Sequence, residues 1–251
     1  MPLFTDGIVS TLADLRAQET HLYEVASAEG IDLTTKLKLA QDEVAIELTR
    51  IVQRTRLRSG ALDGIVVTPP LKLWHVFHTL AMVYRDAYFN QLNDRYQGKW
   101  REYQVLAEWA REMLIQTGLG VSAEPLARAG TPILGSIPGD GAANLYFVQY
   151  AWTNAAGQEG MPGEVAGLAT DDGYTLTVLP GVPPEVPPET ATGWNVYAGT
   201  SSEGVTLQNA TPMPVGEPWV MPPTGLISGR RPGTGQEPDA LRIVPRVQLR
   251  G

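Results

Sequence analysis

Proline is distributed very unevenly along this chain of 251 residues. Only 4 of its 20 prolines precede Gly130, and 16 follow it. Proline lacks a backbone N–H and has a fixed φ, so it is excluded from helix interiors and central strands. The first half therefore permits long helices, whereas the second half must be built from turns, sheet edges and short strands. For a chain of this length, we expect two domains of ordinary size.

In the proline-poor half, apolar residues recur at the three- and four-residue steps that indicate amphipathic helices. One helix is predicted over residues 8–28. The second, capped by Asp32, has the clearest periodicity. Its apolar stripe consists of Leu33, Leu37, Ala40, Val44, Leu48 and Ile51. The third helix begins after Pro70 and the fourth spans residues 99–117, so that residues 1–120 form a four-helix domain.

Two features of the helical domain are candidates for partner binding. The last turns of the second helix carry four cations, Arg50, Arg54, Arg56 and Arg58. These cations either compensate the dipole at the helix C-terminus or form a basic patch for an acidic partner. The connector that follows has an apolar tip of three residues, Ile65, Val66 and Val67. This tip is covered either by its own helices or by a neighbouring protein.

Short strands are predicted in the proline-rich half. Residues 121–141 are poor in charge and rich in Gly and Pro, which predicts a linker between the domains. A turn with the sequence Asp-Asp-Gly at residues 171–173 predicts a hairpin. We therefore expect a β-sandwich over residues 142–232, because seven short segments have strand character and are separated by Gly/Pro turns. These segments are residues 145–153, 163–169, 174–179, 194–198, 205–209, 217–221 and 225–228.

The end of the chain, residues 233–251, is predicted to be an extended basic arm. After Asp239 its only charged residues are arginines, and Pro245 disfavours a helix. The arm either frays or adds a strand to the sheet edge of a partner. Its candidate binding residues are Arg242, Arg246, Val247, Leu249 and Arg250.

Charge and composition exclude several classes of function. The formal net charge of −8 disfavours a nucleic-acid binder, whose affinity comes largely from neutralising phosphates. The absence of cysteine excludes disulfides and thiolate metal sites. There is no apolar run of about 18 residues to span a membrane, and the first residues lack the pattern of a secretory signal. A soluble protein made in the cytoplasm is expected.

The sequence offers no convincing catalytic, metal or cofactor site. His75 and His78 lie three residues apart on the third helix, but no carboxylate stands at ligand spacing beside them. The glycines of residues 135–141 lack the Gly-Lys-Ser/Thr end of a phosphate loop. Residues 199–203 do not complete a Gly-x-Ser-x-Gly nucleophile turn. We therefore expect neither enzyme activity nor a bound metal or cofactor.

Two segments of the second domain carry a family resemblance. YFVQYAWTNAAGQEGMPGEV and the later GWNVYAGTSSEGV each run from a strand into a Gly-containing turn. They resemble the fibronectin-III or immunoglobulin-like repeats that are appended to structural proteins of tailed bacteriophages. The resemblance covers residues 142–230 and implies an all-β immunoglobulin-like sandwich. With the helical domain before it and the extended arm after it, the expected fold class is an α+β multidomain protein. Trp152 and Trp194 are expected to be core anchors of the sandwich.

The helical domain resembles, in its architecture, the head-to-tail adaptor (connector) proteins that form a ring beneath the phage portal. This resemblance implies a homo-oligomeric ring of twelve copies in the virion neck, assembled in the host cytoplasm, with the portal protein and tail or neck proteins as partners. DNA passes through such a ring without specific binding, which suits an acidic protein because it repels phosphate.

The resemblance also implies that the arm from Arg242 to Arg250, or the helix end from Arg50 to Arg58, docks on the portal. The alternative is a tail or baseplate protein whose β-sandwich binds a host-surface glycan.

Overall fold

The computed structural model describes residues 1–55, 62–91, 94–181 and 186–244, and the fold is mixed α+β. The chain divides into two compact units. The helical unit comprises residues 7–121 and 238–251, and the β unit comprises residues 1–6 and 122–237. The N-terminal residues thus belong to the β unit and the C-terminal ones to the helical unit, an exchange that the sequence did not predict.

The helical unit begins with two short helices, α1 (Leu12–Gln18) and α2 (Leu22–Glu29), where the sequence predicts one. Thr11 forms the N-cap of α1 in a capping box, so the residues before it are not helical. Glu19 then takes an extended conformation, with φ −138° and ψ 99°, and ends α1. Gly30 closes α2 in the left-handed conformation, as predicted, with φ 66°.

Three long helices follow and confirm the predicted periodicity. They are α3 (Leu33–Thr55), α4 (Pro69–Gln91) and α5 (Gln97–Thr117), the last preceded by a 3-10 turn. The Asp32 side chain caps α3 as predicted, because its Oδ1 accepts a hydrogen bond from the backbone N–H of Thr34 at 2.9 Å. α4 packs against both α3 and α5. The described part of the chain therefore has five α-helices rather than four.

A two-stranded antiparallel sheet completes the helical unit. It pairs β1 (Leu119–Val121) with β10 (Ala240–Arg242), with Leu119 opposite Arg242. Ile65 forms a single bridge to Val121 on β1. Residues 240–242 of the predicted arm therefore form a strand within the same chain.

The β unit contains two antiparallel sheets. The strands of the first, in spatial order, are β2 (Ile133–Pro138), β5 (Tyr174–Leu179) and β9 (Trp219–Val220). The strands of the second, in spatial order, are β4 (Ala166–Thr170), β3 (Asn144–Thr153), β6 (Gly193–Gly199) and β7 (Thr206–Leu207), with β8 (Met213–Pro214) also paired to β6.

Three local predictions in this region differ from the structure. The predicted linker of residues 121–141 contains β2, and Leu126 within it is fully buried in the core. Its low charge reflects this packing. The turn at residues 171–173 is not a hairpin, because β4 pairs with β3 and β5 pairs with β2. It carries the chain from one sheet to the other. Residues 225–228 form no strand.

The core of the β unit takes side chains from both sheets. Trp152 on β3 lies opposite Trp194 on β6 in the register, and both are buried. The Tyr150 ring meets each of them edge-on, at centroid distances of 5.3 and 5.9 Å. Leu176 and Val178 of β5 belong to the same cluster. The prediction that the two tryptophans are core anchors is confirmed.

Candidate functional site

The predicted basic patch at the end of α3 is described only in part. Arg50 and Arg54 are exposed, whereas Arg56 and Arg58 lie outside the described residues. Arg50 forms an ion pair with Glu47 on the same helix, and its Nη1 lies 3.1 Å from Glu47 Oε2. Such an exposed pair contributes little to stability, but it reduces the positive charge that the patch presents.

The apolar connector tip does not present a surface to a partner. Ile65, Val66 and Val67 are all buried within the helical unit. The Val66 backbone N–H also donates a hydrogen bond to the carbonyl of Gly120, at 3.0 Å. Of the two alternatives left open by the sequence, coverage by the chain's own elements is the correct one. These residues are therefore removed from the candidate binding surface, because burying them stabilises the unit itself.

The C-terminal segment is anchored through β10, which includes the first of its predicted binding residues, Arg242. Arg242 is exposed on β10, and Val244 is buried. Leu241 and Ile243 are exposed apolar side chains that the sequence did not single out. The other predicted residues of the arm, Arg246, Val247, Leu249 and Arg250, lie outside the described residues.

A groove of about 520 Å³ lies over α4, between α3 and α5. It contains charged side chains from all three helices. Arg111 of α5 bridges two carboxylates, with Nη2 2.6 Å from Glu47 Oε1 and Nη1 3.2 Å from Glu108 Oε1. His78 of α4 lies 2.7 Å from Glu43 of α3. Two of the groove's acid–base pairs, Glu47–Arg111 and Glu43–His78, therefore join different helices.

The Glu47 carboxylate shows how these pairs are balanced. Burial opposes its charge, but the hydrogen bond from Arg111 and the charges of Arg111 and Arg50 outweigh burial and lower the pKa of Glu47. A carboxylate held ionised in this way is a poor proton acceptor at neutral pH. The groove is thus suited to joining helices rather than to acid–base chemistry.

His75 is a fully buried core histidine. Its Nε2 donates to the Leu37 carbonyl at 3.1 Å, and its Nδ1 accepts from the Ser10 hydroxyl at 2.7 Å. Burial lowers the pKa of His75 to about 4 despite the bond to Leu37. The ring is therefore neutral at pH 7 and connects α3, α4 and the segment before α1.

A second buried carboxylate, Glu19, lies beneath an aromatic stack. Its Oε2 accepts from the Tyr103 hydroxyl at 2.8 Å and pairs with Lys99 at 2.9 Å. The Tyr103 ring stacks on Tyr84, with the centroids 5.6 Å apart. Burial, and then the hydrogen bond to Glu19, raises the pKa of the Tyr103 hydroxyl. This inward-pointing carboxylate explains why the first predicted helix breaks at residue 19.

The β unit has a comparable cluster around Glu159. The carboxylate accepts hydrogen bonds from Asn195 Nδ2 at 2.8 Å, from the Tyr197 hydroxyl, and from Arg230 Nη1 at 2.9 Å. Three donors therefore occupy three of the roughly four acceptor sites of the Glu159 carboxylate. The cluster ties the loop after β3 and the segment around Arg230 to β6.

Four exposed apolar side chains on α3 and α5 form the remaining candidate surface. Ile46 is 65% exposed, and Leu39, also exposed, lies about two turns before it on α3. Val105 and Trp109 on α5 are 70% and 51% exposed. The apolar periodicity of these helices identified only their inward stripes. The available signal was the presence of large apolar residues outside those stripes.

Metal, membrane and family comparisons give no assignment. Across residues 1–55, 62–91, 94–181 and 186–244, no group of three or more His, Asp or Glu side chains is arranged to hold a metal ion. No helix in the same part of the chain is both long and apolar enough to cross a bilayer. No protein-family model, curated protein or solved structure matches the chain.

Proposed function

We propose that this chain is a structural protein of a tailed-bacteriophage virion, a head-to-tail adaptor that forms a ring under the portal and joins capsid to tail around a channel for DNA. In this proposal the helical unit forms the ring. The β unit is an appended immunoglobulin-like or fibronectin-III-like sandwich. Support for the sandwich comes from the core that its two sheets share, with Trp152 and Trp194 at the centre.

The observation that carries the proposal is the return of the chain to the helical unit. After the β unit, β10 pairs with β1, which directly follows α5. The basic residues beyond β10 are therefore attached to the unit that would form the ring. An adaptor needs this arrangement, because its portal-docking arm must be fixed to the ring itself.

The distribution of charge also supports a conduit. The helical unit contains 16 Lys/Arg and 15 Asp/Glu, and the β unit contains 3 and 12. The formal charges are therefore +1 and −9. The helical unit, which would form the ring, is close to neutral overall and therefore has little net positive charge with which to retain DNA by neutralising phosphates. A protein that lets DNA pass must avoid such retention.

The alternative of a glycan-binding tail or baseplate protein lacks comparable support. Sugar platforms on β-sandwiches are built from exposed aromatic faces. The three tryptophans of the β unit, Trp152, Trp194 and Trp219, are all buried.

The test is co-assembly with the portal protein of the same phage, measured by mass and by electron microscopy of the complex. We expect a ring that binds the portal, and we expect loss of binding when residues 245–251 are deleted. The deletion must not include β10, because its pairing with β1 and the buried Val244 support the fold.

Charge reversals then separate the two proposed docking elements. Arg246→Glu with Arg250→Glu changes the arm, and Arg50→Glu with Arg54→Glu changes the end of α3. Whichever pair abolishes portal binding, while circular dichroism is unchanged, identifies the docking element. If the protein is strictly monomeric, does not bind the portal and is retarded on a polysaccharide column, the adaptor function is excluded and the glycan-binding function is favoured.

A further inference from the structure

The helical unit has an exposed stripe on the side of α3 that faces away from its core. Leu39, Asp42 and Ile46 are spaced three and four residues apart, so they share one face of the helix. All three are exposed. The inward stripe of the same helix includes Val44 and Leu48, which are fully buried. We call the first set the α3 stripe.

A second stripe lies on the outer face of α5. Arg101, Val105 and Trp109 are spaced four residues apart and are all exposed. The inward side of α5 carries Tyr103 and Ala110, which are buried. We call the first set the α5 stripe. The groove over α4 separates the two helices, so the stripes are distinct surfaces.

The charges within the stripes are complementary. Asp42 on the α3 stripe and Arg101 on the α5 stripe form no ion pair with any residue that the structure describes. Each lies beside exposed apolar side chains. Two α3 stripes would bring two Asp42 carboxylates into one interface, and two α5 stripes would bring two Arg101 guanidinium groups into one interface. Only the pairing of unlike stripes joins apolar surface to apolar surface and opposite charge to opposite charge.

We infer that the α3 stripe of one copy of this chain binds the α5 stripe of the next, head to tail. A contact between two different surfaces is heterologous, and it generates a closed ring when the rotation between copies closes. The inference rests on the proposed function, since it identifies the surfaces by which the ring would form. The occupant of each stripe is a second copy of the same chain.

Disulfide trapping tests this pairing directly, because the native chain has no cysteine. The variants are Ile46→Cys, Val105→Cys and the double substitution in one chain, each oxidised in solution without the portal. On a non-reducing gel we expect a ladder of covalent oligomers from the double variant and monomers from each single variant. Ser27→Cys with Asp63→Cys, at two other exposed positions of the helical unit, is the control pair.

Two outcomes of the trapping experiment overturn the inference. If the double variant gives no more oligomer than the control pair, the stripes are not an interface. If either single variant gives as much dimer as the double variant gives ladder, like stripes meet and the contact is symmetric. A ladder that survives while portal binding is absent removes the adaptor function but keeps the stripe pairing. If a ring binds the portal but the double variant gives no ladder, the adaptor function is kept and the stripe pairing is overturned.

A charge exchange provides the independent check. Starting from the double-cysteine variant, Asp42→Arg places a cation opposite Arg101, and we expect the ladder to be lost. Adding Arg101→Asp restores opposite charges, and we expect the ladder to return. Failure of the exchange to restore it, with the circular dichroism spectrum unchanged, overturns the assigned pairing.

Discussion

The two units of this protein satisfy their backbone hydrogen bonds in different ways. In the helical unit, long helices pair their own backbone groups, and the core is almost entirely apolar side chains. In the β unit, strands are short and loops are many, so buried backbone groups need other partners. Side-chain amides supply them. Buried backbone groups are therefore paired by regular helices in the helical unit, whereas in the β unit many of them depend on individual polar side chains.

The amides of the β unit show this role in detail. Asn209 Oδ1 accepts from the Val196 N–H on β6 at 2.9 Å. Gln208 Oε1 accepts from the Ile227 N–H at 2.8 Å, and Gln236 Oε1 accepts from the Leu126 N–H at 2.6 Å. All three side chains are buried. In the helical unit, buried His75 and Thr79 donate to backbone carbonyls, and the partly buried amide of Gln41 accepts from the Val9 N–H at 2.9 Å.

The largest expected effect concerns the apolar core of the β unit. Trp194 is fully buried, and its Nε1 donates to the Pro214 carbonyl at 3.1 Å. We expect Trp194→Ala to lower the free energy of unfolding by about 3–5 kcal/mol, through lost burial and the cavity left behind. Urea denaturation combined with hydrogen exchange of β-unit peptides measures this loss.

The matched control is Tyr174→Ala, a partly exposed aromatic residue in the same unit. Its loss of stability should be much smaller. Hydrogen exchange of α3 and α4 should be unchanged by Trp194→Ala, because its core cluster contains only residues of the β unit. Equal loss of protection in both units would show that they do not unfold separately.

The second effect is a loss of stability of the helical unit at acid pH. It distinguishes the two units because all three histidines lie in the helical unit. The folded pKa of His75 is lowered to about 4 from 6.5. The unfolded chain therefore binds the proton more readily, and the contribution of His75 to stability is complete above pH 6.5 and lost as pH falls towards 4. The shift corresponds to about 3 kcal/mol. Hydrogen exchange of the helical unit at pH 7 and pH 5 tests it.

The β unit contains a carboxyl group, Asp6, whose contribution to stability depends on pH in the opposite direction to that of His75. Burial raises the pKa of Asp6, so its contribution to stability is present at low pH and is lost as pH rises. We expect His75→Gln to remove most of the acid sensitivity of the helical unit. His21→Gln, at an exposed position, should retain it. Equal acid sensitivity of the His75→Gln variant and the native chain would contradict this account.

The elements that sequence reasoning predicted are those whose burial pattern is local. The stripe from Leu33 to Ile51 predicted α3, and strict alternation predicted β5 over its full length. The elements that it missed depend on partners distant in the chain. Glu19 breaks a helix because it reaches Tyr103, and β10 forms because β1 offers it an edge. Such pairings leave no periodic signal in either segment.

The same reasoning explains the mixed outcome at the candidate site. The connector tip at Ile65 would be apolar whether its own helices or a neighbouring protein covered it. The sequence alone therefore did not decide between these two alternatives. The structure resolves the choice through the bridge to Val121. Val105 and Trp109 lie outside the inward stripe of α5, and the sequence alone does not tell whether another element covers them.

The third effect tests the amides of the β unit. Asn209→Ala leaves the buried N–H of Val196 without its acceptor, and we expect a loss of about 1–3 kcal/mol in the free energy of unfolding. Urea denaturation measures the total, and hydrogen exchange of residues 193–199 locates it. Thr200→Ala, at an exposed position next to β6, is the control and should be nearly neutral. A neutral Asn209→Ala would remove the proposed contrast between the units.

The smallest effect is expected from removing a hydrogen bond between a side chain and a backbone N–H in the helical unit, at the start of α1. The Thr11 hydroxyl accepts from the Asp14 N–H at 3.2 Å, and Asp14 Oδ2 accepts from the Thr11 N–H at 2.8 Å. We expect Thr11→Ala to cost about 1 kcal/mol and Thr11→Ser to be nearly neutral, because serine keeps the hydroxyl. Both are measured by urea denaturation. The cost should be lower than for Asn209 because this bond is exposed, and water replaces the lost acceptor. If Thr11→Ala costs as much as Asn209→Ala, burial does not set the value of these bonds, and the two units differ only in where they place them.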